Sequence, residues 1–244
     1  MGLSKRSHHV KPRLPDGVRI YAIGDVHGRA DLLQSLLTVI DADLRRSRPR
    51  RAIHVFLGDY VDRGPDSRGV LDLLIHRMWT HETVCLKGNH EVFMLDVLKD
   101  PAKLKDWRQY GGLLTLASYG VTPTLTPTPE EQIELIEKLR DAVPEEHLTF
   151  MENLPSSFTC GDFFFVHAGV RPGIPLDQQR EQDLLWIRDE FLESNERFGK
   201  YVVHGHTPVK AADIRPNRIN IDTGAYATGN LTLLTIQGAS MLAI

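Results

Sequence analysis

The sequence predicts an α/β domain, and three observations carry that prediction. A strand, a turn and a helix recur three times between Val18 and Asp100. Helical spacing dominates from about residue 92 to residue 155, and short strands separated by turn signals fill the remainder. With 244 residues, 41% of them hydrophobic, the chain is long enough to bury one substantial core.

The elements follow in order. "VRIYAI" (18–23) is a continuous apolar run, as expected of a buried strand, and it runs into the turn "GDVHG". Leu32, Leu33, Leu36, Leu37 and Ile40 then recur at helical spacing. "AIHVFLGDYVDRGPDS" repeats the strand and turn, and "RGVLDLLIHRMW" the helix. "TVCLKGNHE" and "VFMLDVLKD" repeat both once more, which argues for βαβ units and a largely parallel sheet. The middle carries "WRQYGGLLTLASYG" and "PEEQIELIEKLRDAVPEEHLTFMENLP", two helical stretches divided by the Pro/Thr-rich "VTPTLTPTP". We read residues 92–155 as a helical insertion over the strand tips. "DFFFVHAG", "KYVVHGHTP", "RINIDTGAY", "LTLLTI" and "SMLAI" follow as short strands, hairpins and a second sheet. Residues 1–17 are expected to be a flexible polar tail and 18–244 a single domain.

Composition narrows the function classes. A formal net charge of -3 and a pI near 6.4 favour neither a nucleic-acid nor a membrane partner. Arg45, Arg46, Arg48, Arg50 and Arg51 around Pro49 fit a solvated loop at a helix end. The first residues lack the hydrophobic core of a signal peptide, and no apolar run is long enough to span a bilayer, so a cytoplasmic location is expected. Cys85 and Cys160 lie among strand-like residues, as buried free thiols would.

Five turns share one pattern, in which an apolar strand is followed by Gly or a small residue and then by metal-competent side chains. They are Gly24-Asp25-Val26-His27-Gly28, Gly58-Asp59-Tyr60-Val61-Asp62-Arg63-Gly64, Gly88-Asn89-His90-Glu91, Val166-His167-Ala168-Gly169 and His204-Gly205-His206-Thr207. Taken singly, each reads as an ordinary turn or a hydrogen-bonded histidine. Their recurrence at the carboxyl ends of strands, where α/β proteins bind ligands, argues for one shared site. The glycines would permit positive φ and close approach of the backbone to a bound anion. Mixed oxygen and imidazole donors without cysteine suit Mn, Fe, Co or Zn better than Ca. Two such ions roughly 3.5–4 Å apart, sharing a carboxylate, form a hydrolytic clamp for phosphate esters, with a bridging hydroxide as nucleophile.

The series "GDVHG…GDYVDRG…GNHE…HAG…HGHTP" resembles the phosphoprotein phosphatase branch of the calcineurin-like metallophosphoesterases, in its bacterial and phage form, from Ile20 to about Tyr226. The resemblance implies a central β-sandwich of two mixed sheets flanked by helices, with a dinuclear centre at the strand ends. It makes Asp25, His27 and Asp59 ligands of the first metal, with Asp59 bridging, and Asn89, His167 and His206 ligands of the second. The metals would be Mn, with Fe or Zn compatible. His206 is chosen because it directly follows Gly in the Gly-His-Thr segment. His204, one alternation earlier, is either a supporting group behind the ligands or a structural residue.

His90 would be the general acid on the leaving oxygen, with Asp62 orienting it and favouring its protonated form. Arg63 would grip the phosphoryl oxygens. Arg188 in "DLLWIRDEF" would be the second guanidinium, or else a helix-surface partner of Asp189 or Glu190. Tyr226 in "INIDTGAYATG" would overhang the site, or simply pack. "WRQYGG" resembles a segment of the bacterial members and carries no assignable chemistry.

The implied activity is hydrolysis of phosphoserine, phosphothreonine or phosphotyrosine in a protein or peptide. The symmetrical dinucleoside polyphosphate hydrolases share the scaffold and form the alternative. They typically carry a non-acidic residue at the position of Asp62, because a nucleotide phosphate leaves without an activated acid. A non-catalytic scaffold of the same fold would be expected to have lost ligands, and none is lost here.

Overall fold

A computed structural model describes residues 11–124 and 126–244. The first sheet takes the order β10-β9-β1-β2-β3 and the second β4-β5-β6-β8-β7. In chain order, β1 (Val18–Ile23), α1 (Ala30–Arg46), β2 (Arg51–Phe56), α2 (Ser67–Thr80), β3 (Thr83–Cys85) and α3 (Asn89–Lys99) form the three strand–helix units. After a short 3-10 turn come α4 (Leu104–Gln109), α5 (Gly112–Ser118), α6 (Pro129–Ala142) and α7 (Glu145–Glu152). The second sheet and its helices follow: β4 (Ser157–Cys160), β5 (Phe163–Val166), α8 (Glu181–Trp186), α9 (Asp189–Leu192), β6 (Tyr201–His204), β7 (Asp213–Ile214) and β8 (Arg218–Asn220). Helix α10 (Ala225–Thr228) leads back to β9 (Leu233–Gln237) and β10 (Ser240–Ala243), which close the first sheet.

The continuous apolar strands are explained by burial on both faces. Successive side chains alternate, so Ile20 and Ala22 of β1 meet Phe163 and Phe165 of β5 between the sheets. Tyr21 and Ile23 face the other way, into the core under α1, α2 and the helical insertion. Phe164 and Val166 likewise face outward, against Leu184 and Phe191 of α8 and α9. The result is a β-sandwich with a helical layer on each side, as expected.

The insertion is helical for local reasons. Thr128 accepts the Glu131 N–H while Glu131 accepts the Thr128 N–H, a capping box with Pro129 in the first turn of α6. His147 of α7 bonds both the Tyr119 hydroxyl (2.7 Å) and Asp72 of α2 (2.9 Å), which ties the insertion to the first sheet's helices. Cys85 and Cys160 are buried free thiols, and among the described residues no helix is long and apolar enough to cross a membrane.

The first sheet is mixed, as the resemblance implied: β1, β2 and β3 are parallel, and β9 returns antiparallel to β1. What differs is that the β9–β10 hairpin completes this sheet and not the second. Of the expected flexible tail, residues 11–17 are described, and Leu14 does not fit it. Residues 1–10 lie outside the described residues, whereas Leu14 is 1% exposed among the inter-sheet side chains, and its N–H donates to Gly238 O (2.9 Å). A single leucine among charged neighbours gives no period to read, yet it fills a gap in the sandwich. Leu14→Ala is therefore expected to cost about 2–5 kcal/mol by denaturant unfolding, where a loose tail residue would cost nothing measurable.

Candidate dinuclear metal site

Strands β1, β2 and β3 run parallel in one sheet and β5, β6 and β8 run parallel in the other, and the turns that follow all six converge. The five turns read from the sequence supply five of these ends. The sixth, after β8, brings Asp222, a buried carboxylate that motif reading passed over. Its signal was present: "INIDTG" repeats the pattern of an apolar run, a carboxylate and a glycine.

Glycines let these turns touch one another. A Cβ on Gly64 would lie 2.0 Å from the His27 carbonyl oxygen, and one on Gly28 2.7 Å from the Gly64 oxygen. A Cβ on Gly88 would lie 2.2 Å from the Asp59 nitrogen. The expected role in approaching an anion is thus replaced by backbone against backbone. Positive φ occurs at Gly28 and Gly58, as expected, and also at non-glycine residues of the site. Among the described residues the non-glycine residues with positive φ are His27, Asp59, Asp62, Arg63 and His206. Left-handed backbone at such residues is sparsely populated and persists only where the surroundings fix it.

Glu91 does much of that fixing. One carboxylate oxygen accepts the N–H of Asp59 (3.0 Å) and of Gly88 (2.9 Å), and the other accepts those of Tyr60 (2.7 Å) and Val61 (3.3 Å). Burial and the Asp59 charge push its pKa up to about 7, against the pull of the N–H donors. Four donors and no acceptor nearby match the ionised form.

The donor atoms meet around Asp59. Its Oδ2 lies 3.4 Å from His27 Nε2 and its Oδ1 3.4 Å from His167 Nε2. The Nδ1 of His27 faces the Val61 carbonyl (2.9 Å) and that of His167 the Leu57 carbonyl (2.9 Å), so each Nδ1 carries the proton and each Nε2 offers a lone pair. Asn89 Oδ1 (2.9 Å) and His206 Nδ1 (3.1 Å) adjoin His167 Nε2. Two groups result, each with its donors within 4.8 Å of one another: His27, Asp59 and His90, and Asp59, His167 and His206. Asp25 belongs to neither group. It sits beside them with its carboxylate on the His206 N–H (3.0 Å).

The electrostatics fit cations. Burial lowers the pKa of His27 to about 3, of His206 to about 2, and that of His167 below its ordinary value, leaving neutral imidazoles. Burial opposes ionisation of Asp59, but the surrounding histidines, among them His90 with its raised pKa, hold its carboxyl below the carboxylate range. Burial and neighbouring carboxylates raise Asp25 well above that range, and burial raises Asp222 to about 6. His206 Nε2 is buried without a partner. Buried carboxylates beside convergent neutral nitrogens make groups that could hold metal ions.

The remaining predicted residues fall around this centre. His90 Nδ1 meets Asp62 Oδ2 at 2.7 Å, with both side chains buried, and His90 Nε2 points to Asp59 Oδ2 at 3.8 Å. Burial works to lower the pKa of His90, but Asp59 and Asp62 outweigh it and leave it raised. Arg63 Nη1 lies 3.1 Å from His27 Nε2, and its guanidinium stands 5.0 Å from the centre of the Tyr226 ring. Tyr226 meets His27 edge-on, so it does overhang the site. Arg188 reaches the Thr207 hydroxyl (3.4 Å) beside His206, while Glu190 pairs with Arg171.

His204 turns away from the centre. It packs on Phe191, and its Nε2 lies 3.4 Å from Arg218. That is a structural role on the sandwich's outer face. Phe93 and Tyr110 stack at 4.7 Å, and Trp186 abuts Phe93 edge-on, forming an aromatic wall beside His90 and His206.

Residues 18–234 match the family described as calcineurin-like phosphoesterase. The chain belongs to that family.

Among the relatives of this phosphoesterase, serine/threonine-protein phosphatase 1 of Salmonella typhimurium is 29% identical over 89% of this chain and 92% of its own. The asymmetrical bis(5'-nucleosyl)-tetraphosphatase PrpE of Halalkalibacterium halodurans is 26% identical over 91% of this chain and 92% of its own. Of solved structures, a putative diadenosine tetraphosphatase shares the fold with a TM-score of 0.64, at 21% identity, covering 93% of this chain and 92% of that one.

Glu91→Gln keeps the shape of the tie but sets an amide N–H2 against backbone donors. Isothermal titration with Mn is expected to show about 10- to 100-fold weaker binding. Unchanged affinity would show that the Asp59 turn holds its geometry without Glu91.

Proposed function

We propose that this phosphoesterase is a phosphomonoesterase acting on phosphorylated protein or peptide, on serine and threonine phosphates first and on tyrosine phosphate as well. The observation that carries the reading is the buried His90–Asp62 pair at 2.7 Å. An alkoxide is a poor leaving group and needs a proton as the P–O bond breaks, whereas a nucleotide phosphate leaves readily without one. A built acid is therefore of most use in monoester hydrolysis.

Asp25, His27 and Asp59 would hold one divalent cation and Asp59, Asn89, His167 and His206 the other. When bound, the pair supplies Lewis acidity to the phosphoryl group and an activated water. The chain's own groups do the rest. Glu91 fixes the turn that carries Asp59, Arg63 and Arg188 orient the phosphoryl oxygens, and His90 Nε2 delivers the proton while Nδ1 stays on Asp62. Phe93, Tyr110 and Trp186 exclude water and offer an apolar flank to the leaving group.

A second reading, hydrolysis of a dinucleoside polyphosphate, draws on the tetraphosphatase relative. The sequence alternative was a symmetrical hydrolase, whereas that relative's name specifies the asymmetrical reaction. Product formation with added Mn, followed as phosphate released from phosphoserine and phosphotyrosine peptides and as mononucleotides released from diadenosine tetraphosphate, decides between the readings by kcat/KM. Preference for the peptides is the expected result, and preference for the dinucleotide would replace this reading with the second.

His90→Asn is expected to keep both metals and lose roughly 10²–10⁴ in kcat on alkyl phosphates. Near-full activity with both metals bound would remove His90 from the role of acid. Asp59→Asn is expected to lose metal together with activity, measured by elemental analysis after gel filtration. A fully loaded, active variant would contradict bridging.

A further inference from the structure

We propose that Trp107 and Thr115, both from the helical insertion, are positioning residues for the His90–Asp62 pair, holding the Asp62 carboxylate as an acceptor on both oxygens in one orientation. The inference rests on the reading of His90 as the acid, and it gives "WRQYGG" the chemistry that its sequence did not disclose.

Asp62 is completely buried, and every contact on its carboxylate is with a donor. Oδ2 accepts His90 Nδ1 (2.7 Å) and Trp107 Nε1 (2.8 Å), and Oδ1 accepts the Thr115 hydroxyl (2.6 Å). An indole nitrogen can only donate. Oδ2 therefore accepts from Trp107, and with the carboxylate ionised the His90 nitrogen that shares it bears hydrogen. Trp107 thus supports an N–H at His90 Nδ1 and leaves Nε2 facing Asp59.

The hydroxyls close the arrangement. The Asp62 N–H lies 3.0 Å from both Ser67 Oγ and Thr115 Oγ1, and these two oxygens lie 3.0 Å apart. Thr115 has one hydrogen, committed to Asp62 Oδ1, so Ser67 donates to Thr115. One proton arrangement satisfies all four groups, which is how a residue at φ 70° such as Asp62 can be held in place. The indole itself is wedged. Trp107 is fully buried, and a Cβ on Gly112 would lie 2.3 Å from it. The Gly111 carbonyl, on the same segment, accepts the Arg63 N–H (3.3 Å). The insertion therefore anchors the turn that carries both Asp62 and Arg63.

Trp107→Phe keeps the ring packing and deletes one N–H. Thr115→Val keeps the shape and deletes one O–H, and Thr115→Ser keeps the hydroxyl. The readout is kcat and KM on a phosphoserine peptide and on 4-nitrophenyl phosphate, whose leaving group departs without a proton, together with bound Mn. Trp107→Phe and Thr115→Val are expected to lower kcat on the phosphopeptide by roughly 10- to 100-fold, with KM and metal content held, and to lower the aryl rate far less. Thr115→Ser should restore most of the loss.

Equal losses on both substrates, or none on either, would overturn the proposal. If Trp107→Phe does not fold, the Thr115 pair decides alone. His90→Asn separates this inference from its premise. If that variant shows no selective loss on the alkyl ester, the acid reading has failed and this inference fails with it. If it does, while Trp107→Phe and Thr115→Val do not, only the positioning role has failed.

Discussion

Four backbone N–H groups from two turns end on the Glu91 carboxylate, and the geometry of the centre depends on that convergence. Asp59 has to present one oxygen to His27 and the other to His167, which requires a left-handed backbone at a residue that resists it. Strand packing cannot impose this, because β2 ends at Phe56, before the turn begins. The carboxylate supplies the constraint from β3's side, and the same residue lies in the first turn of the helix that begins with Asn89 and His90. A charged acceptor in a buried site forms strong hydrogen bonds, and leaving its donors unmatched would be costly. One side chain thereby locks two strand ends into a common frame.

The site's charge follows a related logic. Buried Asp25, Asp59 and Asp222 face neutral imidazoles, with the guanidinium of Arg63 beside them. Such an assembly is electrostatically incomplete until cations enter. Stability and function then pull in different directions, since the left-handed ligand turns and the crowded carboxylates cost folding free energy that the sandwich core and Glu91 have to offset. Glycine pairs such as Gly28 with Gly64 belong to the same compromise, since any Cβ there would drive the ligand turns apart.

The helical insertion is more than cover for the strand tips. Phe93 and Tyr110 form the wall next to His90, while Trp107, Gly111 and Thr115 reach behind it to the Asp62–Arg63 turn. The aromatic wall and the contacts behind the His90–Asp62 pair thus reside in one segment. Altering its helices would disturb both, because Tyr110, beside His90, and Gly111, which accepts the Arg63 N–H, are adjacent in sequence.

Sequence alone determined the α/β class, the order of the elements and the five turns that converge in the fold, because strand periodicity and turn chemistry are local and repeat along the chain. It also named His90 and Asp62 together, since the motifs that hold them are compact. Tertiary structure decided what depends on distant contacts. Leu14 is core because the sandwich leaves room for it, and β9 is antiparallel because the chain returns after the second sheet. His204 faces outward, although it sits one alternation before His206, because His206 has left the strand and turned through a positive φ, so the alternation no longer applies. Asp222 sits in a turn whose pattern repeats that of the other five, whereas Trp107 joined the site from a helix 17 residues beyond His90, with no turn pattern to connect it. Hydrogen bonds and charges act through space, and only the folded chain shows which of them meet.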